Sequence, residues 1–197
     1  MEWVTTSTLL FSLRSEDDPR AWERLVDRFR GAIVGFAQSF GFQNHDAEDV
    51  AQEALLTFIS EYRLGKYDPS KGRLGRWLFG IAYRKMLQSR EKAAPRNAKA
   101  APEAAFTSFW AELPDEAAAS ETWDVQWERM VLEQCLARVR EEVEPATYQA
   151  FELVVRFNRP PAEVARDMGV PIKLVYNAKH RVLSRVRDYC AELENVA

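Results

Sequence analysis

Pro161-Ala-Glu-Val-Ala-Arg-Asp-Met-Gly-Val-Pro-Ile-Lys-Leu-Val-Tyr-Asn-Ala-Lys-His180 is the stretch that decides the fold. A small residue, Ala165, stands where two helices would cross closely. Gly169 follows four positions later, where a tight turn favours a positive backbone angle. Val164, Met168, Val170, Val175 and Ala178 supply a small shared core. The pattern is that of a helix-turn-helix, whose second helix enters the major groove of DNA. On that geometry Val175, Ala178, Val182 and Val186 face inward. Lys173, Tyr176, Asn177 and His180 then project outward, with Arg181 and Arg185 near the flanks. Asparagine reads adenine, and lysine or arginine reaches guanine or phosphate. The alternative is a helical hairpin that binds no nucleic acid. The charge argues against it, because residues 156–187 hold eight Lys/Arg against Glu163 and Asp167.

A second basic island spans 63–92, with nine Lys/Arg against Asp68 and Glu91. The net charge of the whole chain is nevertheless −3, so the remainder is strongly acidic. Two basic islands in an acidic chain point to two separate contacts with a polyanion, or to two solvated faces. The acidic stretch after Glu103 offers the islands a counter-charge in the free chain. His45 lies beside Asp46, Glu48 and Asp49, but successive residues do not converge on one helix face, so no metal site is expected. No cofactor is implied. Cys135 and Cys190 are far apart and lack metal-type spacing, which reads as two reduced structural thiols in a cytoplasmic protein. No apolar run suits a membrane span, and residues 1–11 lack the pattern of a signal peptide.

Working outward, strand-like alternation is almost absent and helical spacing dominates, so the expected fold is all-α. A first helix is expected from about Pro19 through Phe40, after Asp17 or Asp18, with Trp22, Leu25, Val26, Phe29, Ile33, Phe36 and Ala37 at helical spacing. A second runs from Asp46 to Tyr62. Its apolar face is Val50, Ala51, Ala54, Leu55, Phe58, Ile59 and Tyr62, and its other side carries Asp49, Gln52, Glu53 and Leu56. Acids in a first turn complement the helix dipole, which accounts for Asp46, Glu48 and Asp49. Glu53 and Leu56 lie beyond that turn, and an apolar Leu56 within a polar stripe fits a partner surface. A turn-rich basic segment, Arg63 to Arg73, precedes a third helix from about Leu74 to Lys92.

Residues 93–127 are alanine-rich, carry Pro95, Pro102 and Pro114, and read as a linker. Phe106, Phe109 and Trp110 within it either pack on a neighbour or await a partner. From about Trp123, Leu132, Cys135, Leu136, Val139 and Val143 repeat amphipathically, and Pro145 opens another helix with Tyr148, Phe151 and Val155. Two small helical domains are therefore expected, at 15–92 and 128–190, with an extension at 1–14 and a tail at 191–197. An enzyme is not expected, since the spacing provides no convergent polar groups. A helix-turn-helix regulator of another kind, or a helical interaction adaptor, are the competing readings.

In this order the elements resemble extracytoplasmic-function (ECF) sigma factors of the sigma-70 family. Asp46-Ala-Glu-Asp-Val-Ala-Gln-Glu-Ala-Leu-Leu-Thr-Phe resembles the family's region 2.2. That resemblance implies docking on the beta-prime clamp helices of bacterial RNA polymerase core through Asp46, Glu48, Asp49, Gln52, Glu53 and Leu56. The following segment is similar to the part that melts and reads the minus-ten element as a single strand. It implies Arg63, Lys66, Tyr67, Lys71, Arg73, Arg76, Trp77, Arg84, Lys85 and Gln88 as its contacts. Tyr67, Trp77 or Tyr83 could stack on an unpaired base, with Trp77 assigned mainly to packing. Residues 128–187 resemble region 4, implying duplex minus-thirty-five recognition by Lys173, Tyr176, Asn177, His180, Arg181 and Arg185, and contact with the beta flap. The resemblance further implies an anti-sigma factor among the partners.

Overall fold

The computed structural model describes residues 10–13, 19–93 and 116–194. All regular structure among them is helical, so the fold is all-α. The expected helix start at Asp17 or Asp18 and the aromatics Phe106, Phe109 and Trp110 lie outside the described residues, as does most of the 1–14 extension. The described residues fall into two compact units, divided between Met130 and Val131.

In the first unit, α1 (Pro19–Ser39), α2 (Asn44–Arg63) and α3 (Leu74–Ala93) surround one core. Each contributes an apolar stripe at steps of three and four. Leu25, Phe29, Ile33 and Phe36 come from α1; Val50, Ala54, Leu55 and Phe58 from α2; Leu78, Phe79, Ala82 and Met86 from α3. Trp22 and Val26, placed on this stripe by spacing, are only half-buried, and Ala21 is buried beside them. Leu10 and Leu13, in a helical turn at 10–13, are buried as well. A 3-10 turn at Pro69–Lys71 bridges α2 and α3, with the Asp68 side chain accepting the Ser70 amide at 3.0 Å.

The largest departure from expectation is α4 (Glu116–Glu142), which starts inside the stretch read as a linker. Its residues up to Met130 belong to the first unit. Ala119, Trp123, Trp127 and Met130 recur at steps of four and three, so they form one stripe. Trp123 is 1% exposed, edge-on to Phe36 at 5.5 Å and tilted over Phe79 at 5.9 Å. Trp127 stacks on Phe29 at 5.5 Å. The approach is close enough that a Cβ on Gly75 would lie 2.9 Å from the Trp127 ring, so only glycine fits there. Alanine-rich composition disguised this segment, although Pro114 just before it suits a helix start.

The second unit comprises the rest of α4 with α5 (Pro145–Val155), α6 (Pro161–Met168) and α7 (Ile172–Glu194). Ala150, Val164, Ala165, Val175 and Ala178 form its central cluster, with Met168 and Val170 packed against it. Gly169 ends α6 in the left-handed conformation (φ 64°, ψ 31°), where a side chain is strained. Its amide donates back to the last turn of α6, and Val170 N–H bonds the Ala165 carbonyl at 3.0 Å. On α4, Cys135, Val139 and Val143 are buried, but Leu132, read from spacing as part of the same face, is exposed.

Candidate nucleic-acid and partner interfaces

The polar side of α2 presents Asp46, Asp49, Gln52, Glu53 and Leu56 to solvent, while Glu48 is half-buried. Positions 49, 52, 53 and 56 share one face by helical spacing. Leu56 is 52% exposed within this acidic stripe. Glu48 is bound by Arg30 of α1, so it ties two helices together. Glu53 is also engaged: its carboxylate pairs with Lys85 at 3.8 Å and Lys92 at 3.4 Å. A residue assigned to the acidic surface thereby neutralises one assigned to the basic surface, and the two surfaces meet along α2 and α3.

Several of the basic residues at 63–88 already hold partners. Arg63 donates from Nε to the Leu13 carbonyl at 3.2 Å. Lys66 pairs with Glu61 at 3.5 Å and Lys71 with Asp68 at 3.7 Å. Hydrogen bonds from the Ser70 hydroxyl and amide, with Lys71 nearby, hold the Asp68 carboxyl below its usual range. Arg76 bonds the Ser120 hydroxyl, lies 4.0 Å from Glu116 and covers the Phe79 ring at 4.8 Å. The acidic start of α4 thus captures a cation expected to face nucleic acid. Arg73, Arg84 and Gln88 are exposed and carry no side-chain hydrogen bond or ion pair among the described residues.

Tyr67 and Trp77 stack on each other at 5.1 Å, and Trp77 also leans on Phe58 at 5.1 Å. Phe58 in turn stacks on Tyr62 at 6.1 Å. Burial, with Tyr62 and Asp68 close by, pushes the Tyr67 phenol above its ordinary value. One face of each of Tyr67 and Trp77 is therefore occupied, and both are half-buried. Tyr83 stacks on Phe79 at 5.6 Å.

On α7, Lys173, Tyr176, Asn177, His180 and Arg181 are all exposed, on the side opposite buried Val175, Ala178, Val182 and Val186. Lys179, absent from the expected set, is exposed between them. Arg185 is set apart. It pairs with Glu142 at 2.7 Å, and the same carboxylate accepts the Tyr189 hydroxyl and pairs with Arg138 at 3.0 Å. The Tyr189 hydrogen bond, with Arg138 and Arg185, holds Glu142 below the usual carboxylate range. Arg138 also covers the Tyr189 ring at 4.4 Å. Arg185 thus fastens α7 to α4. Arg159 serves the turn before α6 in the same way, bound to Asp167 and 3.9 Å from Glu163. Spacing could not reveal the Arg185 arrangement, because Arg185 and Tyr189 lie 43 and 47 residues from Glu142.

Among the described residues no group of three or more His, Cys, Asp or Glu side chains could hold a metal ion, and no helix is long and apolar enough to cross a membrane. Residues 25–96 match the family model of sigma-70 region 2. A comparison with curated proteins gives no match. The matched segment lies inside the first unit and takes in most of α1, all of α2 and all of α3.

Proposed function

We propose that the chain is an ECF-type sigma factor that directs bacterial RNA polymerase core to specific promoters from the cytoplasm. The observation that carries this reading is the segregation of surfaces inside the matched segment. An acidic stripe with a bare Leu56 lies on α2, and the uncommitted cations Arg73 and Arg84 lie beyond it. The stripe suits the beta-prime clamp helices, where Leu56, about half exposed, would bury further apolar surface worth about 1 kcal/mol.

Arg73, Arg84 and Gln88 would follow the phosphates of the melted minus-ten strand, and half-buried Tyr67 or Trp77 would take an unpaired base at about 1–3 kcal/mol. The second unit would act as region 4. Lys173, Tyr176, Asn177, His180 and Arg181 would read duplex minus-thirty-five DNA, and its remaining surface would meet the beta flap. Tethering of both units to one polymerase supplies the effective concentration that two weak DNA contacts need. Control by an anti-sigma factor belongs to the same reading.

The test is transcription in vitro with purified bacterial core and a promoter library, beside direct core binding. Glu53 is a poor probe of core binding because its loss also frees Lys85 and Lys92. Asp49→Ala combined with Leu56→Ala touches neither cation and is expected to weaken core binding at least tenfold with the circular dichroism unchanged. Arg84→Ala combined with Gln88→Ala is expected to spare core binding and reduce open-complex formation. Absence of core binding by the unaltered chain sinks the assignment, and equal behaviour of the two double variants sinks the division of labour.

A further inference from the structure

Read along the chain, Cys135 and Cys190 look like two unrelated thiols. Folding brings them together. The Cys190 sulfur lies 3.3 Å from that of Cys135, across a sequence separation of 55 residues, and the two are not joined in a disulfide. A disulfide needs about 2.05 Å between its sulfurs, so a shift of a little over 1 Å shared by two side chains closes the gap. The surroundings are ordered on both sides. Positions 135, 138 and 142 of α4 meet positions 190, 189 and 185 of α7 in reverse order, which makes the pairing antiparallel. The Glu142 carboxylate, bonded by Tyr189 and Arg185, anchors the pair less than two turns from the sulfurs.

We propose that Cys135 and Cys190 are an oxidative modification site that forms a reversible intramolecular disulfide, with a peroxide as the co-substrate class. The two thiols divide the work by exposure. Cys190 is half-exposed and meets the oxidant, whereas Cys135 is buried and resolves. In the first step the Cys190 thiolate attacks one oxygen of hydrogen peroxide. The O–O bond breaks, hydroxide leaves and takes up the thiol proton as water, and a sulfenic acid remains on Cys190. In the second step the Cys135 sulfur attacks the Cys190 sulfur. The S–S bond forms, the S–O bond breaks, and the departing hydroxide takes the Cys135 proton as a second water. Two electrons pass from the two thiols to one peroxide, and an external dithiol reverses the change.

A metal is the competing use of two adjacent thiols. It would need further ligands, and no third histidine, cysteine or carboxylate gathers there among the described residues. The consequence of oxidation is mechanical. A covalent tie is added to the α4–α7 contact at the end of α7 far from Lys173 and Asn177, so it stiffens the second unit without touching the exposed side chains there. Cross-linking across this many residues removes much of the freedom of the unfolded chain.

The experiment uses the full chain. Reduced protein is exposed to hydrogen peroxide, denatured in N-ethylmaleimide and weighed intact. The expected product is a monomer 2 Da lighter than the reduced chain, carrying no maleimide, and regaining two maleimides after dithiothreitol. Its melting temperature is expected to rise by at least about 5 °C. Cys135→Ser should leave a sulfenic acid on Cys190 that dimedone traps. Cys190→Ser should leave Cys135 unreactive in the native state, and circular dichroism checks that both variants fold. Two maleimides on the peroxide-treated chain, or disulfide-linked dimers as the main product, would overturn the proposal. So would dimedone trapping of the unaltered chain as efficiently as of Cys135→Ser.

Discussion

Replacing Trp123 by alanine removes the largest fully buried side chain of the first unit. Its indole is held edge-on by Phe36 at 5.5 Å, tilted by Phe79 at 5.9 Å and flanked by Trp127 at 5.9 Å. Truncating a buried tryptophan costs about 3–5 kcal/mol through lost transfer energy and the cavity left behind. The rigid aromatic neighbours cannot collapse into that space, so the upper half of the range is expected. A domain stable by about 5–15 kcal/mol loses a large fraction of its margin. Hydrogen exchange followed by mass spectrometry on the full chain separates this from a local effect. Amides of α1 near Phe36 and of α3 near Phe79 should lose about two to four decades of protection, together with those of 116–130. If residues 116–130 were only a strap lying on a complete domain, the loss would be confined to that segment. Protection of α1 and α3 within a factor of five of the unaltered chain would refute the packing argument.

Three other perturbations bear on the same physics. Gly75→Ala drives a methyl group against the Trp127 ring, and urea unfolding should show a loss of about 1–3 kcal/mol that Trp127→Leu relieves in part. Gly169→Val places a β-branched residue at φ 64° between α6 and α7, and a loss of about 1–2 kcal/mol is expected in thermal or urea melts of the second unit, with α1 to α3 unaffected. Glu142 has its carboxyl held below its ordinary value of 4.5, first by the Tyr189 hydroxyl and then by Arg138 and Arg185. A depressed carboxylate contributes stability that is present above its unfolded-state value and is lost as pH falls through the folded one. The stability gap between the unaltered chain and Glu142→Gln should therefore be largest at neutral pH and shrink below about pH 4.5 in urea titrations. A gap that is constant from pH 7 to pH 3 would deny Glu142 that role.

What was legible in the chain follows the range of the interactions responsible. The apolar stripe of α2 from Val50 to Tyr62 is legible in the sequence, with only buried Ala47 missed, because burial on a single helix repeats every three to four residues. The turn at Gly169 is legible for the same reason: it depends on the backbone freedom of one residue and on the few that flank it. The same locality misleads at Leu132, whose spacing agrees with Cys135 and Leu136 but which the second unit leaves exposed. It misleads again before Trp123, where a proline-broken, alanine-rich composition hid a helix whose value lies wholly in what it packs against.

The sequence by itself determined an all-helical chain, the stripe of Asp49, Gln52, Glu53 and Leu56, and a short helix turning at Gly169 into a long one. Each is encoded within one or two turns of helix, so residue order suffices. Tertiary structure alone decided which charges are committed and which are available. Lys85 answers Glu53, Arg76 turns to Ser120 and Glu116, and Arg185 locks onto Glu142. It also decided that Cys135 and Cys190 meet. These contacts join residues between about 30 and 55 positions apart, and no periodicity of a single helix carries the information that brings two helices side by side.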